Sequence, residues 1–244
     1  MKTAAIIEAR MTSTRLPGKV LFPVLGRPLL AHLVERLERA GTLDAIIVAT
    51  TVNAADDPIA DLAEELPVGC FRGSELDVLD RVLRAAEAGR VDTIVEVTGD
   101  CPLIDPAIVD RVVETYQAGS ADYVSNTLER TFPRGMDTQV FSRAVLSEVS
   151  RLTADPVDHE HVSLYIYEHP ERFSLRNVGS GLPPGCGDLR LTLDTPEDFT
   201  LIRTIFEELC PVKKDFGLGD ILELFRRRPE LPLINRHVMQ KKVR

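Results

Sequence analysis

Across its first half the chain alternates short apolar runs with amphipathic stretches, an order that few folds accommodate. A strand buried on both faces reads as an unbroken apolar run. Parallel strands of that kind also need a helical crossover between them. Residues 3–8, 45–51 (AIIVATT) and 91–98 (VDTIVEVT) read as such strands. Between the first two, residues 28–40 place Leu30, Leu33, Val34 and Leu37 on one helical face and run to Gly41, where a C-cap is expected. Asp56-Asp57-Pro58 opens a second helix with an acidic cap, and Asp105-Pro106 opens a third over 106–118. The pattern predicts an α/β fold, an open, mainly parallel sheet flanked by helices on both faces.

From about 127 to 185 the periodicity is lost, and proline, glycine, aromatic and charged residues mix. This stretch is expected to form an accessory lobe or arm. Order returns with LRLTLDT (189–195), read as a strand, then PEDFTLIRTIFEEL as a helix with Pro196 at its start, and a last amphipathic helix over 218–228. No linker separates independent units, so residues 1–244 are expected to fold as a single domain.

Charge excludes one class of partner. The chain has 29 basic and 38 acidic residues, a net charge of -9, and no basic tract able to follow a nucleic-acid backbone. Cys70, Cys101, Cys186 and Cys210 are scattered with no CxxC pair, as reduced cytoplasmic thiols would be. The opening apolar run is broken by Glu8 and Arg10, and no segment approaches the roughly 20 apolar residues of a membrane span. A soluble, cytoplasmic protein is expected.

In open α/β sheets ligands bind beyond the carboxyl ends of the strands, which singles out three segments. The first, ARMTSTRLPGK (9–19), follows the first strand and carries Arg10, Arg15 and Lys19 with Ser13 among them. Three cations in one turn are costly without an anion, and a triphosphate supplies one; the plainer alternative is a solvated basic loop. Neither GxxxxGK[ST] nor GxGxxG is present, which counts against a P-loop ATPase and a dehydrogenase. The second, VTGDCPLIDP (97–106), sets Thr98 and Asp100 at a strand end, where a carboxylate can hold magnesium while the ion keeps waters and takes phosphate oxygens. A turn or capping role is the alternative, and Asp105 fits it better than Asp100. The third, LTLDTPED (191–198), brings Asp194 to a similar position, although Asp194 or Thr195 could equally cap the helix behind it.

The loop RMTSTRLPGK resembles the signature of the cytidylyltransferases that make CMP-activated sugars, nearest the spore-coat-polysaccharide type and more distantly the CMP-acylneuraminate and CMP-KDO synthetases. The resemblance runs over most of the chain and implies a nucleotide-diphospho-sugar transferase fold. It implies Asp100 and Asp194 as magnesium ligands and, with Arg10 and Lys19, as the catalytic set. Ala9, Arg10, Ser13, Arg15, Lys19, Arg72, Ser74, Thr98 and Asp100 fall in its nucleotide-binding stretches, with Ser74 open to a purely structural capping box with Asp77. Arg134, Asp137, His159, Glu160 and His161 fall where such proteins build the sugar pocket. His159 and His161 lie two apart and would diverge on a helix, so a shared metal site is not expected. The implied reaction is Mg2+-dependent transfer of CMP from CTP to a sugar-type acceptor, by a homodimer. Two departures stand out: Glu8 where glutamine is common, and Thr12 where glycine is frequent. Two other readings use the same residues, transfer from another NTP to a sugar or polyol phosphate, and a nucleotide-sugar sensor without turnover.

Overall fold

The computed structural model describes residues 1–241 and 243. Strand β1 (Thr3–Glu8) sends alternate residues into two cores: Ala5 and Ile7 join one apolar cluster, Ala4 and Ile6 the other. With side chains alternating along a strand, a run apolar at every position can be satisfied only by cover on both faces. A two-residue hairpin pair, β2 (Pro23–Val24) and β3 (Arg27–Pro28), leads into α1 (Leu29–Leu37). Then follow β4 (Ala45–Thr51), α2 (Asp57–Glu65), β5 (Gly69–Gly73), α3 (Val78–Ala88), β6 (Thr93–Thr98) and α4 (Pro106–Gln117). The second half contributes β7 (Tyr123–Ser125), β8 (Gln139–Ser142), α5 (Arg143–Leu152), α6 (Pro156–Glu160), α7 (Leu164–Glu168), β9 (Leu175–Asn177), α8 (Pro196–Leu209) and α9 (Leu218–Arg227).

The main sheet has the order β5-β4-β1-β6-β8-β7-β9. All its pairings are parallel except those of β8, which runs against both β6 and β7. Leu30, Leu33, Val34 and Leu37 of α1 pack with Val109, Val112 and Val113 of α4 and with α8 and α9 over one face. Leu79 and Val82 of α3, Leu146 of α5 and Ile166 of α7 cover the other. Among the described residues no helix is long and apolar enough to cross a membrane.

Register decides where the site lies. Glu8, the last residue of β1, is level with Ala49 on β4 and with Thr98, the last residue of β6. The loops leaving β1 and β6 therefore emerge side by side.

Four local expectations are corrected. The segment 189–195 is extended but makes only an isolated bridge, Arg134 to Arg190, because its residues pair with a loop rather than a strand. The first helix stops at Leu37, short of Gly41, whose N–H donates to the Asp110 carboxylate at 3.0 Å; a side chain of α4 ends the turn instead of a left-handed glycine. Asp56 precedes α2 without capping it, since its carboxylate is spent on Met11 N–H at 2.6 Å and on the Thr51 hydroxyl. Within 127–185, β8 and β9 join the main sheet, so this stretch extends the central layer as well as covering it.

Candidate active site

Residues 9–19 are held at both ends. Asp56 accepts the Met11 N–H, and Gly18, at φ 73°, turns the chain so that its own N–H reaches Met11 O at 2.9 Å. A glycine takes that left-handed conformation without steric cost. The turn drives Lys19 inward, where it is only 8% exposed. The β6 exit lies against the β1 exit: Gly99 N–H donates to Glu8 O at 2.9 Å, and a β-carbon at Gly99 would stand 2.9 Å from that same oxygen.

Asp100 and Asp194 are brought together by the backbone. Leu193 N–H donates to Asp100 O at 2.8 Å and the Thr192 hydroxyl to the same oxygen at 3.1 Å. The Lys19 ammonium then meets both carboxylates, Asp100 Oδ2 at 3.1 Å and Asp194 Oδ1 at 2.7 Å, while Arg15 reaches Asp194 Oδ1 at 2.8 Å. Each carboxylate is oriented through its other oxygen. Thr98 Oγ1 donates to Asp100 Oδ1 at 2.6 Å, and Arg190 donates to Asp194 Oδ2 at 2.7 Å while also binding Asp198 at 2.9 Å. Burial alone would raise the Asp100 pKa, but Lys19 and the Thr98 hydroxyl outweigh it and hold it below the usual value. Burial would likewise lower Lys19, and the two aspartates turn that into a net rise.

Among the described residues no group of three or more His, Cys, Asp or Glu is placed to hold a metal. Two carboxylates turned to a common point nevertheless match what Mg2+ needs, since that ion keeps several waters and takes its remaining ligands from phosphate. The Lys19 ammonium, shared by Asp100 Oδ2 and Asp194 Oδ1, marks that point, and Thr98 and Arg190 supply the outer hydrogen bonds that fix such ligands.

Two adjoining cavities meet here. The smaller, of about 550 Å³, is lined by Ala9, Arg10, Ser13, Arg15, Lys19, Thr98, Asp100 and Asp194. The larger, of about 970 Å³, shares Arg15, Thr98, Asp100, Glu160, His161 and Asp194 with it, then extends past Arg134 and Asp137 to Glu96 and Gln139. Arg130 grips Asp137 through both oxygens at 2.8 and 3.0 Å.

Three of the residues singled out from the sequence lie outside both linings. Arg72 is turned toward the start of α2, donating to Thr51 O at 2.8 Å and Asn53 O at 2.9 Å and pairing with Asp57 at 2.7 Å. Ser74 is exposed and accepts the Asp77 N–H at 3.0 Å, as the capping alternative expects. His159 places one ring nitrogen 3.0 Å from Thr153 O and the other 2.8 Å from Asp77, tying α6 to the start of α3. Its pKa is raised; burial works against this and the two contacts prevail.

Other residues reach the site without having been expected there. Glu75 accepts from Thr12 and Asn53, both at 2.6 Å, and stands 3.9 Å from Arg10. Arg190, 6% exposed, gathers Asp194 and Asp198, and its spacing of four from Asp194 was a faint signal in the sequence. Glu8 lines both cavities and Glu96 the larger, and each has a buried oxygen without a hydrogen-bond partner. Burial raises the Glu8 pKa to about 7 against the pull of Arg81, with Asp100 adding to the rise and Arg10 opposing it. Burial and the Glu8 charge push Glu96 well above the carboxylate range.

A loop of cations facing paired carboxylates across the carboxyl edge of a parallel sheet is the apparatus of a nucleotidyltransferase, an enzyme that handles a triphosphate by charge and position. Comparison with known proteins agrees. Residues 4–216 match the cytidylyltransferase family. The spore coat polysaccharide biosynthesis protein SpsF of Bacillus subtilis is 32% identical over 92% of this chain and 94% of its own length. The 3-deoxy-manno-octulosonate cytidylyltransferase of Syntrophobacter fumaroxidans is 32% identical over 76% of this chain and 79% of its own. A solved cytidylyltransferase of Leptospira borgpetersenii superposes with a TM-score of 0.90 at 32% identity, covering 99% of this chain and all of that one. The chain belongs to the cytidylyltransferase family.

Proposed function

We propose that the protein transfers CMP from CTP to a hydroxyl of a sugar or sugar-acid acceptor, releases pyrophosphate, and depends on Mg2+. The activated sugar would serve surface polysaccharide synthesis. The observation that carries this reading is the Lys19 ammonium held within 3.1 Å of both Asp100 and Asp194 where the two cavities meet. The smaller cavity is then the nucleotide side, with Arg10, Arg15, Lys19, Ser13 and the backbone of Ala9 around the phosphates and Thr98 orienting Asp100. The larger is the acceptor side, where Arg134 would pair with an acidic group, and Asp137, Glu160 and His161 would accept or donate hydrogen bonds to hydroxyls.

The acceptor oxygen attacks the α-phosphorus in line, forming the new P–O bond as the bond to the bridging oxygen breaks and that oxygen leaves with pyrophosphate, while the acceptor hydroxyl proton passes to water. Arg10, Arg15 and Lys19 neutralise charge developing on the departing pyrophosphate. Asp100 and Asp194 would hold magnesium, which when bound supplies further neutralisation at the phosphates. The proposed setting is the cytoplasm and the proposed assembly a homodimer, for which light scattering of the purified chain is the check. Pyrophosphate release across CTP, UTP, GTP and ATP, with 3-deoxy-manno-octulosonate among the acceptors, tests the reading. Strict preference for GTP or UTP overturns the choice of nucleotide.

A further inference from the structure

The chain beyond residue 216, where the family match ends, returns to the face that carries the site. After α9 and the turn at Leu231–Leu233, Asn235 is buried to 3% exposure. Its side-chain amide donates to Asp198 Oδ1 at 2.7 Å and to Arg190 O at 3.0 Å. Five residues later Gln240 Oε1 accepts from Arg190 Nη1 at 2.6 Å. Arg190 is the guanidinium whose other nitrogen fixes Asp194. The tail is thus fastened twice to the group that orients a carboxylate of the site.

Beyond the second fastening, Lys241 lines both cavities on the wall they share with Arg15, Asp100 and Asp194. Its side chain is exposed, and its ammonium has no hydrogen-bond or ion-pair partner among the described residues. In the smaller cavity Arg15 and Lys19 already face carboxylates and Arg10 stands 3.9 Å from Glu75, whereas Lys241 keeps its charge to spare for an anion.

We propose that the tail is part of the active-site wall: Lys241 contacts the phosphate chain of the bound nucleotide and of pyrophosphate, and Gln240 is a positioning residue that aims Lys241 by its bond to Arg190. This rests on the nucleotidyl-transfer reading for the class of ligand. It does not depend on which base the nucleotide carries.

Calorimetric titration of the full chain with magnesium pyrophosphate, and separately with magnesium CTP, tests it. Lys241→Ala should weaken pyrophosphate binding about tenfold, as one partly solvated charge-assisted contact does, and flatten its salt dependence, with Lys241→Arg restoring most of both. Gln240→Ala should weaken binding in the same direction, and add nothing in the Lys241→Ala background. Unchanged pyrophosphate affinity in Lys241→Ala overturns the proposal, as does a wild-type chain that binds no pyrophosphate. A Gln240→Ala loss that persists in full beside Lys241→Ala overturns the positioning role, because the effect would then run through Arg190 and Asp194. A wild-type chain that binds pyrophosphate but not CTP refutes the nucleotide assignment alone and leaves the result for the tail standing.

Discussion

The smaller cavity presents charges that are already cross-paired, Lys19 to Asp100 and Asp194 and Arg15 to Asp194, whereas the larger one, past Asp100, holds polar groups left open. Arg134 has no ion-pair or hydrogen-bond partner for its guanidinium among the described residues, and Glu96 keeps an unpartnered oxygen. Paired charges hold a rigid arrangement, which on the proposed function suits a ligand of constant shape, the triphosphate. Buried groups without partners are costly in the free protein and are relieved by whatever completes them, which favours discrimination between acceptors. On that reading one side serves the step common to every turnover, and the other chooses what enters it.

The severest test of that contrast is Lys19→Ala. Removing one preorganised contact to a developing charge costs roughly 3–4 kcal/mol of barrier, so kcat in a pyrophosphate-release assay should fall on the order of a hundred- to a thousand-fold. A fall of less than tenfold would mean that the pairing serves the fold rather than the reaction. Arg134→Ala sharpens the other half. With an acidic acceptor its KM should rise by about one to two orders of magnitude, the worth of about 1.5–3 kcal/mol for a hydrogen bond to a charged group, while CTP affinity is unchanged.

A smaller effect should appear in stability. The folded-state pKa of Glu8 is about 7 against an ordinary 4.5, so between those values the folded chain binds the proton more readily than the unfolded one. The resulting penalty grows from about pH 4.5 and is complete above about pH 7. Glu8→Gln should therefore stabilise the protein by on the order of 2 kcal/mol at pH 8 and leave it unchanged near pH 4, as denaturant melts at the two pH values would read. Equal gains at both would show that Glu8 is not held against its charge. The least effect is expected of Arg72→Ala, which removes bonds to Thr51 O, Asn53 O and Asp57 at the rim of the sheet. It should cost about 1 kcal/mol of stability and leave the KM for CTP as it was; a raised KM would bring this residue into the nucleotide side after all.

The sequence by itself determined the layered α/β fold, because unbroken apolar runs and period-3.6 patterns are local, and it exposed the cation loop at 9–19 and the carboxylates at 100 and 194 by their places at the ends of apolar runs. It did not determine where side chains with several possible partners would spend their bonds. Asp56 looked like a cap and holds the loop 9–19; Arg72 and His159 looked like ligand contacts and brace α2 and α6; the run 189–195 looked like a strand and pairs with a loop. Asn235 and Gln240 were invisible because their roles depend on separations of 37 to 50 residues along the chain. Tertiary structure decided these points: a hydrogen bond is short and directional, and only the folded backbone determines which donor comes within reach of which acceptor.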